Sequence, residues 1–147
     1  MKLSVLIVDD EPHARRYIKD LLVQDDEIQV VNECKNGREV LNFLKNQEPH
    51  IIFLDINMPG ISGIEVAEQL KSTNSLIIFS TAYDQYAVKA FEIEAFDYLV
   101  KPYGEQRFFT VLNRAKETLE KFQQASFSQK FADLYKEYNE KLSPHLT

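Results

Sequence analysis

The sequence has one cysteine, Cys34, so it can close no disulfide within the chain, and no Cys/His cluster has the spacing of zinc ligands. A reducing, cytoplasmic setting is expected. Positive charge is also short: 17 Lys and Arg stand against 23 Asp and Glu, for a formal net charge of -6. That balance argues against a surface built to lie on nucleic acid or an anionic membrane, so any DNA contact is expected from something outside this chain. Long apolar runs are missing as well. The run Val5 to Val8 is stopped by Asp9 and Asp10, far short of a signal peptide or a membrane span. Internal repeats and low-complexity segments are absent.

What is present is apolar material in strand-length pieces. Hydrophobic residues make up 44% of the 147 positions, enough for one well-filled core and a modest appendage. Runs rich in Val and Ile occur at Leu3-Val8, Ile28-Val31, Ile51-Leu54, Leu76-Phe79 and Phe96-Val100. Between them lie segments with helical spacing: Ala14, Ile18, Leu21 and Leu22; then Val40, Phe43 and Leu44; then Ile64, Ala67 and Leu70; then the short Tyr86-Glu92. A fifth helix comes after Pro102 and Gly104 and carries Phe108, Val111, Leu112, Ala115, Leu119 and Phe122. Strands alternating with helices predict an α/β, doubly wound (βα)5 domain with a parallel sheet covered on both faces.

Beyond position 122 the pattern changes. Gln123-Gln124-Ala125-Ser126 is polar, and Phe127, Phe131, Leu134 and Tyr138 begin a helical stripe in a shifted register. The reading is a domain over residues 1–122 and a linker or helical extension over 123–147, with a separate short helix ended by Pro144. The stripe Leu112, Ala115, Leu119, Phe122 suits either docking on the sheet or a helix-helix seam. For the Phe127–Tyr138 stripe a linker helix, a partner-binding face and a homodimer contact all stay open.

In an open parallel sheet, ligands bind outside the carboxyl ends of the strands. The first strand leads into Asp9-Asp10-Glu11, the third into Asp55-Ile56-Asn57-Met58-Pro59-Gly60, the fourth into Ser80-Thr81-Ala82 and the fifth into Lys101-Pro102. The second leads into Glu33-Cys34-Lys35, with no comparable cluster. Strand order 2-1-3-4-5 would make the four polar ends neighbours and leave the poor one at an edge. Carboxylates on adjacent strand ends repel, so they would hold protons or need a cation. Hard oxygen ligands select Mg2+ or a similar ion, which suits bringing a phosphoryl group to a carboxylate. Asp55 is the natural nucleophile, with Lys101 and the Thr81 hydroxyl placed to bind the other phosphate oxygens.

These residues resemble the receiver domain of two-component response regulators. The likeness rests on Val8-Asp9-Asp10, Leu54-Asp55-Ile56-Asn57-Met58-Pro59-Gly60, Thr81-Ala82 and Asp97-Tyr98-Leu99-Val100-Lys101-Pro102, and it covers roughly the first 120 residues. The segment Thr81 to Phe91 further resembles receivers of the LytTR (LytR/AlgR-like) transcription-regulator group. The resemblance implies a flavodoxin-like fold and an aspartyl phosphate on Asp55, received from a sensor histidine kinase. Asp10 would then bind Mg2+ directly, Asp9 partly through water, and Asn57 through its backbone carbonyl. Thr81 and Lys101 would hold phosphoryl oxygens, Tyr98 would be the switch aromatic, and the Lys101-Pro102 bond would be cis. In such proteins DNA is bound through an output domain, absent from this chain, and self-dephosphorylation is at most slow.

Blander readings stand beside these. Asp55 alone is a solvated aspartate before a turn, and Asp9 and Asp10 could cap the first helix, with Pro12 at a favoured first-turn position. Tyr98 in a strand could simply be core. His13, His50 and His145 lie in unrelated contexts and are expected to be neither ligands nor phosphoacceptors. Glu11 is read as helix surface and Cys34 as a small buried or half-buried side chain. A phosphatase using an aspartyl phosphate would want an acid two residues after the nucleophile, where this chain has Asn57. A receiver-like adaptor that is never phosphorylated would not need the full acidic set.

Overall fold

Each apolar run of the sequence forms a strand, and the order in which the strands associate accords with how apolar each one is. A computed structural model describes residues 2–142. In chain order the elements are β1 (Leu3–Val8), α1 (Pro12–Leu22), β2 (Ile28–Cys34), α2 (Gly37–Phe43), β3 (Ile51–Leu54), α3 (Gly63–Gln69), β4 (Leu76–Thr81), α4 (Ala87–Glu92), β5 (Asp97–Val100) and α5 (Glu105–Leu142). The sheet runs β2-β1-β3-β4-β5 with every neighbouring pair parallel. All four residues of β3 are buried, as two-sided coverage of a central strand requires. This is the flavodoxin-like order that the strand ends predict.

At the edge the chemistry differs. β2 extends three residues beyond the apolar run, through Asn32 and Glu33 to Cys34, because an edge strand can turn polar side chains to solvent. Its pairing with β1 slips once: Val5 faces Val30 but Leu6 faces Asn32, so Val31 is an extra residue and the strand is bulged there. β4 likewise runs past Phe79 to include Ser80 and Thr81, while β5 starts at Asp97, one residue later than its apolar run.

On one face of the sheet, Leu6, Val8, Ile52, Leu54 and Phe79 pack with Val40 of α2, Val66 and Ala67 of α3, and Ala90 of α4. Burying each of the Leu, Ile, Val and Phe side chains among them contributes roughly 1.5–3 kcal/mol. Helix starts are fixed locally. Asn36 caps α2 by accepting the Glu39 amide at 2.9 Å, and Ser62 caps α3 by accepting the Glu65 amide at 3.2 Å. Elsewhere Phe53 stacks on Phe108 with ring centroids 5.2 Å apart, and Ile18, Leu21 and Leu22 of α1 are buried.

By compactness the chain falls into two units, the first ending at Val111 and the second beginning at Leu112. α5 is continuous, so the separate short helix expected after position 126 is not a new element. The reason is compositional: Gln123-Gln124-Ala125-Ser126 is polar but contains neither glycine nor proline, and Gln and Ala are good helix formers. Within the second unit Leu112, Ala115 and Leu119 are buried, whereas every residue from Glu120 to Lys141 is exposed. Pro144 and His145 lie outside the described residues.

Candidate functional site

The site is built on the last rungs of the sheet. Past the end of β1, the Asp9 amide donates to the Cys34 carbonyl at 3.0 Å, and past β3 the Asp55 amide donates to the Val8 carbonyl at 3.0 Å. Past β5, the Lys101 amide donates to the Thr81 carbonyl at 2.8 Å. Backbone pairing therefore locks Asp9, Asp55, Thr81 and Lys101 into register with one another, although 92 positions separate Asp9 from Lys101.

Their side chains converge. The Lys101 ammonium lies 2.7 Å from Asp9 Oδ2 and 3.8 Å from Asp55 Oδ2. Asp55 Oδ1 accepts the Ile56 amide at 2.7 Å, and Asp9 Oδ1 accepts the Glu11 amide at 2.9 Å. Asp9 and Asp55 are 1% and 6% exposed, and Thr81 is fully buried, whereas Asp10 is exposed. Burial, and after it the neighbouring Asp9 charge, pushes the Asp55 carboxyl up to about 6. Lys101, the Thr81 hydroxyl and the Ile56 amide pull it back down without cancelling the rise. One lysine does not neutralise two buried carboxylates and a third at the rim.

Asp9, Asp10 and Asp55 each offer a carboxylate oxygen, and these oxygens lie within 4.8 Å of one another. Three hard, anionic donors that close, with an unrelieved excess of negative charge, fit a divalent cation such as Mg2+.

A hydrogen-bonded path leads away from this cluster. The Tyr83 amide donates to Thr81 Oγ1 at 3.4 Å, and the Tyr83 carbonyl accepts from the Tyr98 hydroxyl. Tyr98 is half-buried, its ring centroid 6.0 Å from that of Phe79. Burial raises its phenol above the ordinary value. Tyr98 is thus neither wholly core nor free: its ring packs and its hydroxyl holds the loop after β4. On the preceding residue of β5, Asp97 holds Arg107 at 3.1 Å, and Arg107 also donates to the Tyr98 carbonyl at 3.2 Å.

Of the expected residues, Asp9, Asp10, Asp55, Thr81 and Lys101 form one cluster, the Asn57 side chain is exposed beside it, and the Lys101-Pro102 bond is cis. Neither Asp9 nor Asp10 is the cap of α1. That position is Glu11, which makes no side-chain cap hydrogen bond, and Pro12 comes next. Glu11 and His13 are exposed, Cys34 is buried, and His50 is tied to Ser4 at the far end of the sheet.

Three contributors lie outside the sequence-based expectations. The Ile56 amide acts through the backbone and leaves no side-chain signal. Arg15 reaches back from α1 to donate to the Asp9 carbonyl at 2.7 Å. Gly63 opens α3 so tightly against the site strand that an added Cβ would lie 2.0 Å from the Asp55 carbonyl oxygen, while its amide donates to the Ile56 carbonyl at 2.8 Å. A glycine just inside a helix already capped by Ser62 is the signal that could have revealed it, since glycine is a poor choice there unless space demands it.

The sequence model of the response regulator receiver domain matches residues 5–113. The chain belongs to that family. This receiver is 45% identical over 123 residues to the sensory transduction protein LytT of Oceanobacillus iheyensis, an alignment covering 81% of the chain and 50% of the relative. It is 46% identical over 116 residues to the transcriptional regulatory protein BtsR of Salmonella typhi, covering 78% and 48%. The receiver therefore spans about half the length of these curated relatives. Among solved structures it resembles the response regulatory domain of mrkE from Klebsiella pneumoniae, with a TM-score of 0.78 at 36% identity, covering 81% of this chain and 99% of that one. No helix among the described residues is long and apolar enough to cross a membrane.

Proposed function

We propose that this receiver takes a phosphoryl group onto Asp55 from the phosphohistidine of a sensor histidine kinase, and that the modification alters its contacts with a partner or output domain. The observation that carries the reading is the setting of Asp55: a buried carboxylate with one oxygen held by the Ile56 amide and the other facing the Lys101 ammonium. Holding Oδ1 leaves Oδ2 as the attacking atom. With its carboxyl at about 6, Asp55 is mainly ionised at neutral pH and still basic for a carboxylate, which favours nucleophilic attack.

In the transfer, Asp55 Oδ2 bonds to phosphorus as the P–N bond to the donor imidazole breaks, and the donor, already protonated on its other ring nitrogen, leaves as neutral imidazole. Lys101 would turn from Asp9 toward the new phosphoryl oxygens, and the Thr81 hydroxyl would donate to another. Asp9, Asp10, Asp55 and the Asn57 carbonyl would hold Mg2+, which, when bound, supplies charge neutralisation for the carboxylates and the incoming phosphoryl oxygens. Drawing Thr81 toward the phosphoryl group pulls on the Tyr83 amide, and through the Tyr83 carbonyl on Tyr98, so Tyr98 is the switch. We read residues 1–122 as the receiver unit and 123–147 as its extension. The kinships to LytT and BtsR support a role in transcription exercised through a DNA-binding output domain, with only slow self-dephosphorylation.

Incubation with a small phosphodonor and Mg2+ should give an acid-stable, base-labile adduct that Asp55→Asn abolishes. Retention of the adduct in that variant would sink the assignment. An adduct that forms equally well with the cation chelated would remove Mg2+ from it.

A further inference from the structure

The second half of α5 carries apolar side chains that nothing among the described residues covers: Phe127 is 71% exposed, Phe131 62%, Leu134 66% and Tyr138 60%. Their spacings of four, three and four residues put all of them within one narrow stripe along the helix. Phe127 and Leu134 occupy d positions of a heptad, and Phe131 and Tyr138 occupy a positions. Two such turns of exposed aromatic and leucine side chains would be costly to leave in water, and the residues flanking the stripe say what covers it.

We infer that this segment pairs with the same segment of a second copy of the chain, the two helices running antiparallel. In an antiparallel seam each a position meets a d position of the other helix. Aligning Phe131 with the partner's Leu134 brings Phe127 opposite the partner's Tyr138, so four apolar layers form and the arrangement is self-complementary about a two-fold axis. The flanking g positions are Lys130 and Glu137. Antiparallel pairing sets g against g, so Lys130 of each copy faces the partner's Glu137, twice over. The next layer outward sets Lys141 against the partner's Gln124, which is neutral.

A parallel seam would use the same apolar layers but lose this match. There Lys141 faces its own copy at a d position and Glu120 does the same at the other end, placing like charges in the seam. The g positions would meet e positions such as Ser128 and Tyr135, leaving Lys130 without an opposite charge. The exposed Lys141–Glu137 contact at 3.6 Å within one helix is no obstacle, because a solvated pair of this kind contributes little.

The test uses the whole 147-residue chain in sedimentation equilibrium over a range of concentrations. Self-association to dimers is expected, with Leu134→Lys lowering the association constant roughly tenfold or more. Lys130→Glu and Glu137→Lys should each weaken self-association, whereas an equimolar mixture of the two single variants should dimerise at least as well as the parent, since each then presents the other with opposite charge. Orientation is read by oxidative cross-linking. Gln124→Cys mixed with Lys141→Cys should cross-link to each other, and Gln124→Cys alone should not; the buried native Cys34 thiol, raised to about 11, stays silent. A chain that remains monomeric at every concentration, or dimers indifferent to Leu134→Lys, would overturn the inference. Cross-linking of Gln124→Cys to itself would overturn the antiparallel arrangement.

Discussion

β1 and β3 each meet polar residues at both ends, and the two ends solve opposite problems. At the amino end Ser4 and His50 satisfy one another: the Ser4 amide donates to His50 Nδ1 at 2.9 Å, and the His50 amide donates to the Ser4 carbonyl at 2.9 Å and lies 3.1 Å from Ser4 Oγ. At the carboxyl end Asp9 and Asp55 are buried with like charge and only Lys101 between them. The first arrangement lowers the energy of the folded chain. The second leaves charge uncompensated where a divalent cation fits and where the proposed phosphoryl group would sit. Polar residues at a strand end therefore mark a site when their charges fail to balance, rather than by being polar.

The sharpest way to break this contrast is at Gly63. Gly63→Ala pushes a methyl group into the Asp55 carbonyl, and because the obstacle is backbone, relief requires moving α3 or the site strand. Loss of more than about 3 kcal/mol of folding stability is expected in denaturant titration. Near-parental stability would mean that α3 yields easily.

The next test sets the two ends in the same experiment. Asp55 has its carboxyl raised above the unfolded value of 3.8 to about 6, so the folded chain binds the extra proton between those pH values and loses stability as pH rises through them. Asp55→Asn escapes that penalty. With divalent cations chelated, the variant should gain about 2–3 kcal/mol over the parent at pH 7.5 and almost nothing near pH 4. A gain independent of pH would show that packing, not charge, is responsible. At the other end, Ser4→Ala should cost about 1 kcal/mol and leave phosphorylation of Asp55 unchanged. Altered phosphorylation would mean that the two ends are not independent.

The smallest effect concerns the lifetime of the phosphoryl group. Tyr83 lies two residues beyond Thr81 and is 43% exposed, and in receivers the residue at that position is expected to line the path of the attacking water. Tyr83→Ala should speed loss of the phosphoryl group by roughly threefold, about 0.7 kcal/mol of barrier, measured as decay of the labelled adduct. Equal rates would remove this role.

β1 and β3 are legible to the residue because their apolar runs, interrupted only by Ser4 near the start of β1, stop at Asp. β2 and β4 run longer than their apolar stretches for a shared reason: Asn32 and Glu33 at an edge, and Ser80 and Thr81 at a site, are polar residues that remain in the ladder. The join at 123–126 misleads because polarity imitates a break, when only glycine, proline or a competing cap would make one. At the site the convergent side chains are legible from the polar residues just past each strand. The Ile56 amide is not, because a backbone donor leaves no side-chain signal, and the reach of Arg15 and the crowding at Gly63 are not, because each exists only once its helix has packed back against the end of its strand.

The loop after β4 has one further consequence. Thr81 and Tyr98 are joined through a single peptide unit on either side of one α-carbon, the amide of residue 83 taking the first and its carbonyl the second. Neither bond uses the Tyr83 side chain. Position 83 can therefore change its side chain without removing either bond, and under the proposed function a change of size there would alter phosphoryl lifetime while the link from Thr81 to Tyr98 stays in place. On that proposal, duration and transmission are separately inheritable traits of the same residue.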